Sequence, residues 1–205
     1  MYVPAHFSMT ADEVATMLSE ISAVDLVTPG PDGLLATFLP MLFDPRTGEH
    51  GSLLGHVARN NPHWKAAGGG AESLVIVRGP DAYISPSWYA AKREHGRVVP
   101  TWNYTTLHVY GSLVAHDDPE WLRGLVTRLT DHHEGSFESP WAVTDAPEGY
   151  IAGQLRAIVG IELVITRVEA KTKLSQNRSE EDRAGVVAGL TARDPDDPVA
   201  SAMRE

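Results

Sequence analysis

The chain contains no cysteine. That single absence excludes disulfides, thiolate zinc sites and thiol nucleophiles together. Long apolar runs are missing as well, since none reaches the ~18 residues that a membrane span requires. The start, Met1-Tyr2-Val3-Pro4-Ala5-His6, lacks the basic leader and apolar stretch of a signal peptide. A cytoplasmic protein without a membrane partner is expected. Positive charge is scarce: 17 Lys and Arg stand against 27 Asp and Glu, a formal net charge of −10. A duplex repels so acidic a body, which argues against direct DNA binding. The nucleotide loops G-x-G-x-x-G and G-x-x-x-x-G-K-[ST] do not occur, nor do G-x-S-x-G and H-E-x-x-H. No histidine has ligand spacing with carboxylate support, and His132 and His133 point apart on a regular helix. No metal is expected.

What the chain does have suits an ordered protein. Its 205 residues are 42% hydrophobic and 21% charged. Thr10 and Glu13 have capping-box spacing, and Val14, Met17, Leu18 and Ile21 then share one helical face. Short strands are expected over 24–28, 34–43, 52–58, 73–78 and 82–85, with Gly79-Pro80-Asp81 as a turn between the last two. The stretch 34–43 is apolar on both alternating faces, as for a strand covered on both sides. Leu107, Val109, Gly111, Leu113 and Ala115 alternate with more polar neighbours, a period of two. Asp118-Pro119 opens a helix striped by Leu122, Leu125, Val126 and Leu129. A short helix at 148–155, a strand at 156–169 and a helix from Ser179 to about Ala192 complete the series. Strands at close spacing without long intervening helices indicate an antiparallel meander or barrel. The expectation is one mainly β domain over 1–192 with N-terminal, middle and C-terminal helices. The Asp- and Pro-rich segment 193–205 reads as a disordered tail.

Polar and aromatic residues concentrate in four places. The first is His56-Val57-Ala58-Arg59-Asn60-Asn61-Pro62-His63-Trp64, and the second is Ser85-Pro86-Ser87-Trp88-Tyr89 with Lys92. The third is Pro100-Thr101-Trp102-Asn103-Tyr104, and the fourth is Lys173-Leu174-Ser175-Gln176-Asn177-Arg178. These are ingredients for an anionic ligand carrying a flat ring. Arg59 and Lys92 suit a phosphate, Arg being the better bidentate partner. Asn60 or Asn61 can add amide contacts near a helix start, and Trp64, Trp88 and Trp102 offer stacking area. Plainer roles stand beside these: Trp64 and Trp88 as gap fillers under loops, Ser85 as a cap, Asn103 as a strand brace, His56 as a satisfied core histidine. The densest positive stretch, Arg167, Lys171, Lys173, Arg178 and Arg183, is interrupted by Glu169, Glu180, Glu181 and Asp182 and reads as a solvated surface.

The ordered series resembles the PaiB-type FMN-binding proteins, usually described as negative transcriptional regulators. The segments that carry the likeness are Met1 to Phe7, Gly55 to Trp64, Gly79 to Tyr89, Val99 to Tyr104 and Lys173 to Arg178. The resemblance implies an antiparallel split β-barrel with flanking helices, related to pyridoxamine-phosphate oxidase-like flavoproteins. It also implies a homodimer with FMN in the cleft between subunits. The strand and turn bearing His56, Val57, Ala58, Arg59, Asn60 and Asn61, followed by Trp64, would face phosphate and ribityl chain. Ser85, Trp88, Lys92, Thr101, Trp102 and Asn103 would flank the cleft, and Gln176 to Arg178 would reach across from the partner. The function implied is regulation of gene expression through flavin or redox sensing, acting through another protein. The alternative is an FMN-dependent oxidoreductase, a flavin reductase or oxidase, working on a small molecule.

Overall fold

A computed structural model describes residues 1–204. They form two compact units. One comprises Ala15–Val77 and His108–Val168; the other comprises Met1–Val14, Arg78–Leu107 and the chain from Glu169 onward. Every boundary falls inside a helix or strand, so no linker marks the division in the sequence.

Helix α1 (Ala11–Ser19) opens on the expected capping box. The Glu13 amide donates to Thr10 Oγ1 at 3.3 Å, and the Thr10 amide donates to Glu13 Oε2 at 2.6 Å. Strands β1 (Ala23–Gly30), β2 (Gly33–Asp44), β3 (Ser52–Ala58), β4 (Glu72–Ile84), β5 (Thr101–His116) and β6 (Ile158–Lys173) close a barrel in the order β1-β2-β3-β6-β5-β4. The pairs β1–β2, β1–β4, β2–β3 and β3–β6 are antiparallel. Alternation on each strand sends one row inward. Leu26, Met41, Leu53, Val75, Val109, Ile161 and Leu163 are fully buried there. Each such side chain contributes about 1.5–3 kcal/mol of burial.

Four strand expectations change. The middle strand begins at Thr101, and the final strand runs on to Lys173. Gly79-Pro80-Asp81 is not a turn but the interior of β4. Pairing with β1 covers only Leu74–Ile76, so proline's missing donor and fixed φ do not interrupt that ladder. The first half of β2 is not covered on both sides: Leu34 is 75% exposed and Phe38 72%. Helix α3 (Pro119–Glu134) supplies the outer cover only at the far end of β2 and on β3, where Leu125 and Leu129 meet Leu42 and Leu54. Asp118 caps α3 by accepting the Trp121 amide at 2.8 Å. Helix α4 (Glu148–Arg156) packs Ile151 and Leu155 against Leu122.

The second unit gathers α2 (Ala90–Glu94), α5 (Glu180–Arg193) and α6 (Pro198–Ala202). Its core joins Ile84, Tyr89, Leu174, Val186, Leu190, Val199, Ala200 and Met203. The expected disordered tail is therefore corrected. Asp197 caps α6 by accepting the Ala200 amide at 2.9 Å, Pro198 occupies the first helical position, and Val199 and Ala200 are completely buried. The Asp-Pro composition that suggested disorder is a helix start.

Candidate functional site

The first sequence cluster lies in the barrel unit and is largely tied up by the chain itself. Val57 is 4% exposed, in the inward row of the barrel, so its side chain is core. His56 is half-buried opposite Gly160, and its Nδ1 is buried without a hydrogen-bond partner among the described residues. Burial pushes its pKa below the ordinary imidazole value, because desolvation disfavours the charged ring. Gly160 leaves room for Trp121, since a Cβ there would stand 2.1 Å from Trp121 Cζ3. Trp121 in turn stacks on His116 at 3.9 Å, and His116 Nε2 lies 2.8 Å from Glu162 Oε2.

Arg59 engages four of its five N–H donors within the chain. Nε donates to the Arg156 carbonyl at 2.8 Å, Nη1 and Nη2 grip the Asp117 carboxylate, and Nη2 also donates to the Ile158 carbonyl at 3.0 Å. That pairing raises the Arg59 pKa and lowers that of Asp117. A cleft of about 350 Å³ adjoins it, where Arg59, Arg123 and Arg156 meet Asp117 and Glu120. Ala58 and Asn60 are exposed. Asn61 caps the next turn by accepting the His63 amide at 2.9 Å, and the Trp64 indole donates to the Arg59 carbonyl at 2.9 Å. His63 is 1% exposed, with Nδ1 at 2.8 Å from Thr37 Oγ1, and burial lowers its pKa too.

The second unit brings the other three clusters together. Ser85 accepts the Ser87 amide at 3.2 Å, as a cap should, and Lys92 Nζ donates to Ser87 Oγ at 2.9 Å. Trp88 lies flat on α5: a Cβ on Gly189 would stand 2.4 Å from its Cδ2. Its indole is a packing surface, not an open stacking platform. Asn103 is fully buried and exchanges hydrogen bonds with the Ser175 hydroxyl at 3.1 and 3.2 Å. This holds Ser175 at φ 64°, a left-handed conformation unusual for a side chain. Gln176 braces the same turn, accepting from the Leu174 amide at 2.7 Å and donating to the Thr172 carbonyl at 2.8 Å. Trp102 remains 49% exposed, its indole donating to Asp81 Oδ1 at 2.8 Å.

The cationic residues in and beside the fourth cluster change the picture most. Lys173 Nζ donates to Thr101 Oγ1 at 2.8 Å and to the Trp102 carbonyl. Lys171, two residues back on the same face of β6, is 8% exposed, so it is no part of a solvated surface. Its ammonium sits 5.3 Å from the Tyr104 ring, 5.9 Å from Phe7 and 6.0 Å from Tyr2. The Arg178 guanidinium stacks 4.8 Å over Tyr89. Burial lowers the Lys173 pKa first, and repulsion from Lys171 and Arg178 lowers it further. Lys171, Tyr2, Phe7 and Tyr104 were not among the expected site residues. The i, i+2 spacing of Lys171 and Lys173 on a strand was the available signal.

Such a donor set fits FMN. Cations with unengaged N–H groups suit its phosphate, and adjacent aromatic rings suit a flat heterocycle. Among the described residues, no group of three His, Cys, Asp or Glu could hold a metal, and no helix is long and apolar enough to cross a membrane.

Fold and donor set define a split-barrel flavin-binding protein. Residues 1–167 match the family described as "Putative FMN-binding domain", and the chain belongs to that family. It is 34% identical over 206 residues to Protease synthase and sporulation protein PAI 2 of Bacillus subtilis (strain 168), across 100% of this chain and 95% of that protein. Two solved structures share the fold. The FAD and heme binding protein from Mycobacterium smegmatis has a TM-score of 0.59 at 18% identity, over 86% of this chain and 78% of that one. The conserved hypothetical protein Rv2991 from Mycobacterium tuberculosis has a TM-score of 0.56 at 13% identity, over 84% and 90%.

Proposed function

We propose that this FMN-binding protein of the PaiB type is a regulator, working as a homodimer with FMN at the subunit interface and acting through another protein. The observation that carries the regulatory reading is the end-to-end match to a protein named for protease synthesis and sporulation. A net charge of −10 supports the indirect route over DNA contact. The exposed row of Leu34 and Phe38 on β2 supports a covering second subunit. Bound FMN supplies one- and two-electron transfer, and the chain contributes orientation and local charge.

The oxidoreductase reading draws support from the His116–Glu162 pair, a carboxylate-oriented imidazole of the kind that moves protons. Purified protein loaded with FMN separates the two. Anaerobic mixing with NADH or NADPH leaves the yellow flavin unbleached if the protein is a regulator, while rapid bleaching with turnover of an acceptor makes it an enzyme. A specific, steeply salt-dependent gel shift would remove the indirect route. Sedimentation of wild type and Leu34→Asp tests the dimer, which the variant should dissociate.

A further inference from the structure

A buried lysine needs a counter-charge, and among the described residues neither Lys171, which is buried, nor the half-buried Lys173 ion-pairs with a carboxylate. The ammonium of Lys171 donates to the Tyr2 carbonyl at 3.2 Å and otherwise faces aromatic rings. The carboxylate of Glu169, one step back along that face, holds the α-ammonium of Met1. Lys173 has one N–H left after Thr101 and Trp102. Arg178 has its ring contact with Tyr89, and its guanidinium donates no hydrogen bond among the described residues. Thr101 Oγ1 accepts from Lys173, so its own proton is free to donate. Three cations sharing one region, two of them on one strand face, repel one another until an anion joins them.

We propose that Lys171, Lys173 and Arg178, with the Thr101 hydroxyl, form a pocket for a phosphate monoester dianion. Charge and donor number select this class. A carboxylate brings one charge and two oxygens, which leaves three cations overmatched. A phosphate monoester brings nearly two charges and three terminal oxygens, enough for both ammonium groups, the guanidinium and the hydroxyl. Free FMN and a small non-flavin metabolite present the same chemical group. The proposal rests on the FMN reading only for its first probe. It also moves the phosphate away from Arg59, whose fork is held by Asp117.

The test compares FMN, riboflavin and glycerol 3-phosphate on purified full-length protein, by flavin fluorescence and by calorimetry. Variants are Lys171→Met, Lys173→Met and Arg178→Gln, with near-UV circular dichroism as the folding check. Arg178→Gln, at a partly exposed position, keeps the test usable if a buried lysine variant does not fold. Wild type should hold FMN well above riboflavin. Lys173→Met should lower FMN affinity roughly 30-fold, the scale of one charged hydrogen bond, and leave riboflavin affinity unchanged. If wild type binds neither flavin but binds glycerol 3-phosphate, and Lys173→Met or Arg178→Gln abolishes that binding, the pocket stands and the flavin reading falls. Folded variants that keep wild-type affinity for both phosphate compounds overturn the proposal, as does a wild type that binds neither.

Discussion

Arg59 and Asp117 meet in a two-bond fork, and the same guanidinium reaches the carbonyls of Arg156 and Ile158. The side chain thereby ties the end of β3 to the start of β6 and to the residue after β5. Its role follows from that. Arg59→Ala should lower the melting temperature slightly, since Asp117 is mostly in water and Arg59 only half-buried, and leave FMN affinity at the wild-type value. A thermal melt beside an FMN titration checks both, and a large affinity loss in a folded variant would return the phosphate to this arginine.

Trp88 is held by the absence of a side chain at Gly189. Gly189→Ala would push a methyl group into the indole, at 2.4 Å from Cδ2 before relaxation. The expected cost is about 1–3 kcal/mol from overpacking, against a small gain in helix propensity. Urea denaturation followed by tryptophan fluorescence measures it. A stabilised variant would mean that Trp88 moves freely.

Asp44 sets an acid limit on the barrel unit. Its carboxylate accepts from the Arg46 side chain at 2.8 and 2.9 Å, from the Arg46 amide at 3.0 Å and from Arg128 at 2.9 Å. Hydrogen bonding from the Arg46 side chain, ahead of the opposing effect of burial, holds it far below the usual carboxylate range. The folded pKa is thus below the unfolded value of about 3.9. The stabilisation is complete above that value and fades as pH falls through the folded one. Asp44→Asn should cost about 1–3 kcal/mol near neutrality, and the difference from wild type should shrink below about pH 4. Denaturation at several pH values tests the slope, and a pH-independent difference would contradict it.

Truncation after Arg193 should be damaging. It removes Val199 and Met203 from the core of the second unit, each contributing roughly 1.5–3 kcal/mol. The truncated chain should unfold at lower urea and be cut faster by proteases within α5. An unchanged midpoint would restore the idea of a disordered tail.

Local signals made much of the fold legible. The period-two alternation from Leu107 to His116, the Thr10–Glu13 box, Asp118-Pro119 and Ser179 with Asp182 all mark elements that the structure contains, because each signal is satisfied within a few residues. What misled was composition standing in for context. Pro80 looked like a turn and lies in a strand; Asp197-Pro198 looked like a tail and starts a buried helix. For the site, Ser85 was legible as a cap, while Asn61, read as a ligand contact, caps the next turn, and Trp88 needed Gly189, 101 residues away, to be understood. Lys171 was hidden for a similar reason. The rings of Tyr2, Phe7 and Tyr104 that enclose it come from distant parts of the chain, and no local charge count registers them.

The unit boundaries that fall inside α1, β4, β5 and β6 have a consequence for anyone wishing to dissect the molecule. No contiguous gene fragment encodes either half. Expression of an isolated piece would sever strands mid-length and leave raw ladder edges, so point substitution, not excision, is the route to assigning roles within it.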